Sequence, residues 1–232
     1  MRLDKFISHA TKLSRTESRK VLRAGRVQVN KNTVGDPGFT INDQDEVTFD
    51  DVVIAIPGHR YYMLNKPAGY VCANTDSQHP TVFDLLDDIN IDGLSVAGRL
   101  DVDSTGLVLL SNDGQWIHRV TAPRAHCNKY YDVEVDGPIS EQDLKRFQQG
   151  LVLDDDDKPT LPAQLIPQSP LPCRTATVII NEGRYHQIKR MFAAIGNLVI
   201  KLHRKQVGAV VLDDTLAPGC FRPLNADEVS SF

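Results

Sequence analysis

The chain has 232 residues, 41% hydrophobic and 24% charged, with a formal net charge of −4; this is ordinary for a globular protein and long enough to bury a sizeable core in one domain or two. No apolar run approaches the roughly 20 residues of a membrane span, and "MRLDKFISHATKLSR" lacks the continuous apolar core of a secretory signal. Cys72, Cys127, Cys173 and Cys220 are scattered without a C-x-x-C pair, which argues against a zinc ribbon or a disulfide framework and points to a cytoplasmic protein with no membrane partner.

In chain order, Leu3, Phe6, Ile7 and Ala10 recur at helical spacing and predict a first short helix. A second opens at "SRTESRKVLRAG", where Ser14 stands three residues before Glu17, the spacing of a capping box, and Gly25 suits a left-handed exit. Val21 and Leu22 face inward, while Arg15, Arg19, Arg23 and Arg26 follow a three-to-four spacing down one face. "RVQVN", "DEVTF" and "VVIAI" alternate as strands, and the unit ends near Pro57–Gly58, predicting domains over 1–57 and 59–232.

The larger region starts with the strand and turn of "YYMLNKPAGY", followed by a short helix at "TVFDLL" and a buried strand at "GLVLLSN". A helix over about 115–121 and the strand "KYYDVEV" come next. Ser140, three residues before Asp143, opens a helix that ends at Gly150. "CRTATVII" reads as a strand, Ile188, Met191, Phe192 and Ile195 give "HQIKRMFAAIG" an inward face, and "NLVIKLHRKQVGAVVL" reads as two more strands. This mixed order predicts an α+β architecture without internal repeats.

Charge is unevenly spread. Residues 1–32 carry nine basic groups against Asp4 and Glu17, and residues 184–205 carry Arg184, Lys189, Arg190, Lys201, Arg204 and Lys205 with no acid. Two basic islands on an otherwise acidic body suit a protein that grips a polyanion locally; solvated helix faces are the plainer alternative. The acidic run Asp154–Asp157 lacks the alternating ligands and turn glycine of a calcium loop and reads as an exposed turn.

"GRLDVDSTGLVLL", residues 98–110, places Asp101 and Asp103 one residue apart. As a structural feature they form a turn by bonding their own backbone. As a Mg²⁺ pair they would require a phosphate-cradling loop, and the chain contains neither G-x-x-x-x-G-K-[ST] nor G-x-G-x-x-G. Neighbouring turn carboxylates alternate in direction and do not make the facing pair of a glycosidase. A further reading needs no metal: a carboxylate against apolar strands, with a basic partner, attacking a sugar or base.

The same stretch resembles the G-R-L-D-x-x-[ST]-x-G-L-L-[LI]-L segment of pseudouridine synthases. The chain as a whole is similar to their RsuA family, which modifies small-subunit ribosomal RNA. "LNKPAGYVC", "KYYDVEVDG", "EGRYHQIKRMFAAIGN" and "LAPGCFRPL" match family segments in order and spacing, and the first unit resembles the small RNA-binding domain of ribosomal protein S-four. The resemblance implies a mixed, mainly antiparallel catalytic sheet flanked by helices. It also implies conversion of a uridine to pseudouridine in 16S ribosomal RNA, with no cofactor and no metal.

By the same resemblance, Asp101 matches the catalytic aspartate and Asp103 a variable position serving only the turn. Tyr131 matches the tyrosine that packs on the target base, Lys189 the basic partner of the aspartate, and Leu202 an apolar residue of the uracil pocket. Arg99 is a candidate to fill the space left by a flipped nucleotide or to clamp its phosphate, with a structural salt bridge on the turn as the competing account, and Arg15, Arg19 and Arg23 are candidates for phosphate contacts. The expected partner is ribosomal RNA, free or in an assembly particle with ribosomal proteins, and the expected state is a monomer. The alternatives are a non-catalytic RNA-binding assembly factor, a large-subunit synthase of the same family, and a metal-dependent phosphohydrolase using Asp101 and Asp103.

Overall fold

Met63, Leu107 and Leu109 pack on one side of a sheet while their neighbours Leu64, Val108 and Leu110 pack on the other. Burial on both faces is why the runs containing them read as continuous rather than alternating apolar stretches. They belong to β5 (Tyr61–Lys66) and β7 (Thr105–Ser111), in the larger of two units, Met1–His59 and Arg60–Phe232. The computed structural model describes residues 1–11, 13–42, 44–55, 58–87, 89–122, 127–154 and 156–232; of the sequence features above, Lys12, Pro57 and Asp155 lie outside them.

The smaller unit runs α1 (Leu3–Ala10), α2 (Arg15–Arg23), β1 (Val27–Val29), β2 (Asn32–Thr33), β3 (Val47–Phe49) and β4 (Val52–Ile54), with an antiparallel sheet ordered β2-β1-β3-β4. The capping box forms: Ser14 N–H donates to Glu17 Oε2 at 2.8 Å and Glu17 N–H to Ser14 Oγ at 3.3 Å. Leu3, Ile7, Val21 and Leu22 from the helices meet Val27, Val29, Ile41 and Val47 in one core. Helix α2 ends at Arg23, so Arg26 leaves the predicted arginine face. Its guanidinium instead pairs with Asp50 and lies 4.8 Å from the centre of the Phe49 ring.

The larger unit adds β6 (Ser95–Val96), β8 (Lys129–Ile139), β9 (Gln164–Pro167), β10 (Cys173–Ile180), β11 (Val199–Val207), β12 (Val210–Val211) and β13 (Phe221–Pro223). The sheet is ordered β13-β5-β7-β11-β8-β10-β9, with β6 on β7 and β12 on β11. Among the strands of the described residues only β7 and β11 pair in parallel. Their approach explains a glycine: Gly106 has φ +102°, and a Cβ there would sit 2.3 Å from the Arg204 carbonyl oxygen.

On one face, Phe147 of α4 (Glu141–Gln149) and Ile188, Met191 and Phe192 of α5 (Gln187–Ala194) join Tyr131, Val133 and Val135 in the main core. On the other, Trp116 of α3 (Gly114–Thr121) packs with Val207 and Phe232 and donates its indole N–H to the Val229 carbonyl, in α6 (Ala226–Ser230), at 3.0 Å. The architecture is thus α+β with a mixed, mainly antiparallel sheet flanked by helices. Helix α3 starts at Gly114 rather than Gln115 because the Asp113 carboxylate accepts the Gln115 and Trp116 N–H groups. "TVFDLL" forms one 3₁₀ turn, Val82–Leu85.

Candidate active site

The loop that carries Asp101 leads from β6 into β7, and two buried cations anchor it from below. Lys66, at the end of β5, donates from Nζ to the carbonyls of Ser104 at 2.7 Å, Pro67 at 3.0 Å and Val102 at 3.3 Å. Arg204, on β11, donates from Nε to Leu107 O at 2.8 Å, and from its Nη groups to Gly98 O at 3.1 Å and Arg99 O at 3.3 Å. The two are 0% and 2% exposed, and among the described residues neither has a carboxylate partner. Burial pushes the Lys66 ammonium below its ordinary value. A buried cation without hydrogen bonds is strongly disfavoured, so these carbonyls and cations hold one another in place.

Asp101 is half-buried on this anchored loop, whereas Asp103 is exposed. The Lys189 ammonium, from α5, lies 2.9 Å from Asp101 Oδ2 and 2.6 Å from Asp103 Oδ1. This corrects the reading of Asp103 as a turn former alone: it shares the lysine with Asp101. Burial works against the Lys189 charge, but its bonds to Asp103 and Asp101 leave its pKa above the ordinary lysine value. For Asp103, desolvation is outweighed by the same lysine, which holds the carboxyl below its usual range.

His186 is a neighbour that sequence reasoning did not single out. It precedes α5 in a left-handed conformation, φ 47° and ψ 33°, with Nε2 3.4 Å from Asp101 Oδ1 and its ring stacked 3.8 Å from that of Tyr185. Nothing in the sequence signals that backbone conformation at a non-glycine residue.

Asp101 and His186 open onto a cavity of about 580 Å³, within the size range of small-ligand sites. Tyr131, Leu202, Lys129, Asn181 and Arg99 also line it. Tyr131 and Leu202 are buried and supply an apolar wall, as their places on β8 and β11 require. Arg99 is exposed at the rim, and among the described residues its guanidinium has no ion-pair partner. Desolvation lowers the pKa of Lys129, and the buried Asn181 Oδ1 accepts no hydrogen bond among the described residues. The structure therefore brings Asp101, Tyr131, Arg99 and Leu202 around one cavity, with Lys189 paired to Asp101, although they are spread over a hundred residues of sequence.

A family model described as RNA pseudouridylate synthase matches residues 60–194, and one described as S4 domain matches residues 1–47. The ribosomal small subunit pseudouridine synthase A of Yersinia pestis is 47% identical over 232 residues, covering 100% of this chain and 97% of that protein. The protein of that name from Escherichia coli strain K12 is 45% identical, with coverages of 100% and 99%. The chain belongs to the RNA pseudouridylate synthase family. A solved structure of a pseudouridylate synthase, 43% identical, matches with a TM-score of 0.72 over 100% of this chain and 99% of that one. Membership makes the protein an isomerase.

In this synthase the second basic island is not a free polyanion grip. Arg184 pairs with Asp156 at 3.1 Å and Glu182 at 3.3 Å, Arg190 with Asp156 at 3.3 Å, Lys201 with Glu134 at 2.7 Å, and Lys205 with Asp132 at 2.8 Å. Lys189 and Arg204 belong to the site. Apart from Glu182, acids distant in sequence answer these cations, and Asp156 of the supposed exposed turn is one of them. In the first island Arg15 and Arg19 pair with Asp4 at 3.2 and 3.1 Å. Arg23 is exposed and has no ion pair among the described residues.

Proposed function

We propose that this synthase converts a uridine to pseudouridine in small-subunit ribosomal RNA, with Asp101 as the nucleophile. The observation that carries the reading is the Asp101 carboxylate on the wall of the cavity, 2.9 Å from the Lys189 ammonium, on a loop anchored by Lys66 and Arg204. The names of the relatives support the substrate. Asp101 adds to the ribose or the base and the bond from ring nitrogen to ribose breaks. The uracil then turns and carbon 5 takes the ribose; the bond to Asp101 breaks and returns the free carboxylate, the proton on carbon 5 leaves and the freed ring nitrogen gains one. No step requires a cofactor.

Lys189 orients the carboxylate; Tyr131 packs on the base and assists removal of the proton, and Leu202 completes the apolar wall. The target nucleotide must leave its stack to reach this cavity, and Arg99 at the rim fills the gap it leaves. Arg15, Arg19 and Arg23 contact phosphates and so set orientation rather than sequence preference. The protein acts as a cytoplasmic monomer on ribosomal RNA, alone or within an assembly particle.

Release of tritium from carbon-5-labelled uridine in small-subunit ribosomal RNA, with chelator present, tests this. Wild type should release it, and Asp101→Asn should be slower by at least ~10³-fold, the scale of a lost nucleophile. Comparable release by both would remove Asp101 from that role, and release only from large-subunit RNA would move the substrate. Arg99→Ala should lose more on folded RNA than on a short unstructured one; equal losses would exclude nucleotide flipping as its role.

A further inference from the structure

We propose that Asp4 is a positioning residue for RNA phosphates, a buried carboxylate that gathers Arg2, Arg15 and Arg19 into one prearranged anion-binding cluster. The inference rests on the reading of the N-terminal unit as RNA-binding and assigns its organiser. Asp4 lies in the first turn of α1 and is 0% exposed, yet three guanidinium groups reach its carboxylate. Arg2 approaches with Nε on Oδ1 and Nη2 on Oδ2, both at 3.2 Å. Arg15 donates from Nη2 to the two oxygens at 3.2 and 3.3 Å, and Arg19 from Nε to Oδ2 at 3.1 Å.

One negative charge thus holds three positive ones, so the cluster keeps a surplus of two. Its arginines also stay accessible: their side chains are 53%, 51% and 46% exposed for Arg2, Arg15 and Arg19. A guanidinium has five N–H donors in a rigid fork. Arg19 uses only Nε and Arg15 only Nη2, and among the described residues their other nitrogens have no partner. These are the donors that match phosphate oxygens.

An arginine face that merely solubilised α2 would have no use for a buried acid beneath it. Holding the forks before RNA arrives reduces the side-chain freedom lost on binding. Desolvation would raise the Asp4 pKa, but the bonds from Arg19, Arg2 and Arg15 bring it down to about 2, so the carboxylate stays charged wherever RNA is bound.

The two accounts differ in sign. If Asp4 were a bystander, removing its negative charge would tighten binding to a polyanion; if it positions the arginines, removal weakens binding. The test uses the full chain and a small-subunit ribosomal RNA fragment over a series of salt concentrations. Asp4→Asn should weaken affinity about tenfold and flatten the salt dependence by one to two phosphate contacts, each worth about 0.7–0.9 in logarithmic slope. It should raise KM more than it lowers kcat, and Asp4→Glu should recover part of the loss. Arg15→Gln should cost less in the Asp4→Asn background than in wild type, the mark of a shared role.

If Arg15→Gln and Arg19→Gln leave affinity unchanged, the RNA-binding reading of the unit fails. If they weaken binding while Asp4→Asn leaves it equal or tighter, the positioning proposal alone is overturned. Should Asp4→Asn not fold, Arg19→Lys keeps the charge and removes the fork; it should weaken binding, and unchanged affinity overturns the proposal.

Discussion

Arg2, Arg15 and Arg19 share a single carboxylate, whereas in the larger unit Lys201 and Lys205 each face an acid of their own, and Arg184 and Arg190 meet at Asp156. Along the chain both stretches look like basic islands. In space one retains a surplus of positive charge and the other is neutralised, because β8 and the loop after α4 bring acids to it. The lesson is that local charge density predicts surface charge only where the fold does not bring opposite charge from elsewhere. Arg204 is the extreme case: it belongs to the basic island in sequence and to the floor of the active site in the fold.

Three measurements can break or sharpen this contrast. The largest effect is expected at Arg204. Arg204→Met leaves the carbonyls of Gly98, Arg99 and Leu107 without these donors and should cost about 2–4 kcal/mol in urea unfolding, with a fall in kcat as the Asp101 loop loosens. A variant as stable and active as wild type would return Arg204 to the surface class.

A smaller effect is expected from acid. The folded Asp4 pKa, about 2, lies below the ordinary 3.8, and a depressed carboxylate stabilises the fold fully above its unfolded value. That contribution is lost as pH falls from about 4 through 2. Amide protection in the N-terminal unit should therefore decline across this window, and less steeply in Asp4→Asn. Identical profiles would mean that the carboxylate contributes nothing through its ion pairs.

The smallest effect is expected at Lys201, whose pair with Glu134 is well exposed. Lys201→Gln should change stability by no more than about 0.5 kcal/mol and leave RNA affinity within about twofold, with an unaltered salt slope. A loss as large as that of Arg15→Gln would erase the distinction between the islands.

Much of the fold was legible where a local rule suffices. The capping boxes at Ser14 and Ser140 follow from a serine and an acid three residues apart, and β5, β7, β8 and β10 from apolar runs long enough to show their pattern. β6, β9, β13 and α6 were not predicted, being only two to five residues long and so shorter than a reliable period. At the site, Asp101 read from its neighbours alone stayed divided between turn, metal and nucleophile. The grouping of Asp101, Tyr131 and Lys189 came from the family resemblance; the structure adds the cavity that Asp101 and Tyr131 share and the ion pair that ties Lys189 to Asp101. His186 and Lys66 lie in segments that match the family, but their contacts were not legible, since each depends on a carboxylate or carbonyl dozens of residues away.

By itself the amino-acid sequence determined which of the longer segments become helices and strands, how the helices after Ser14 and Ser140 are capped, where apolar faces lie and which family the chain resembles. Those properties are set by neighbours within a few residues, or by motifs whose order is preserved along the chain. Only the tertiary structure decided which cations are free. It also decided that Lys189 serves two aspartates and that Lys66 and Arg204 anchor the loop that presents one of them. Ion pairs and hydrogen bonds depend on separations of about 3 Å in space, and chain order carries no record of such distances between residues 86 to 106 positions apart.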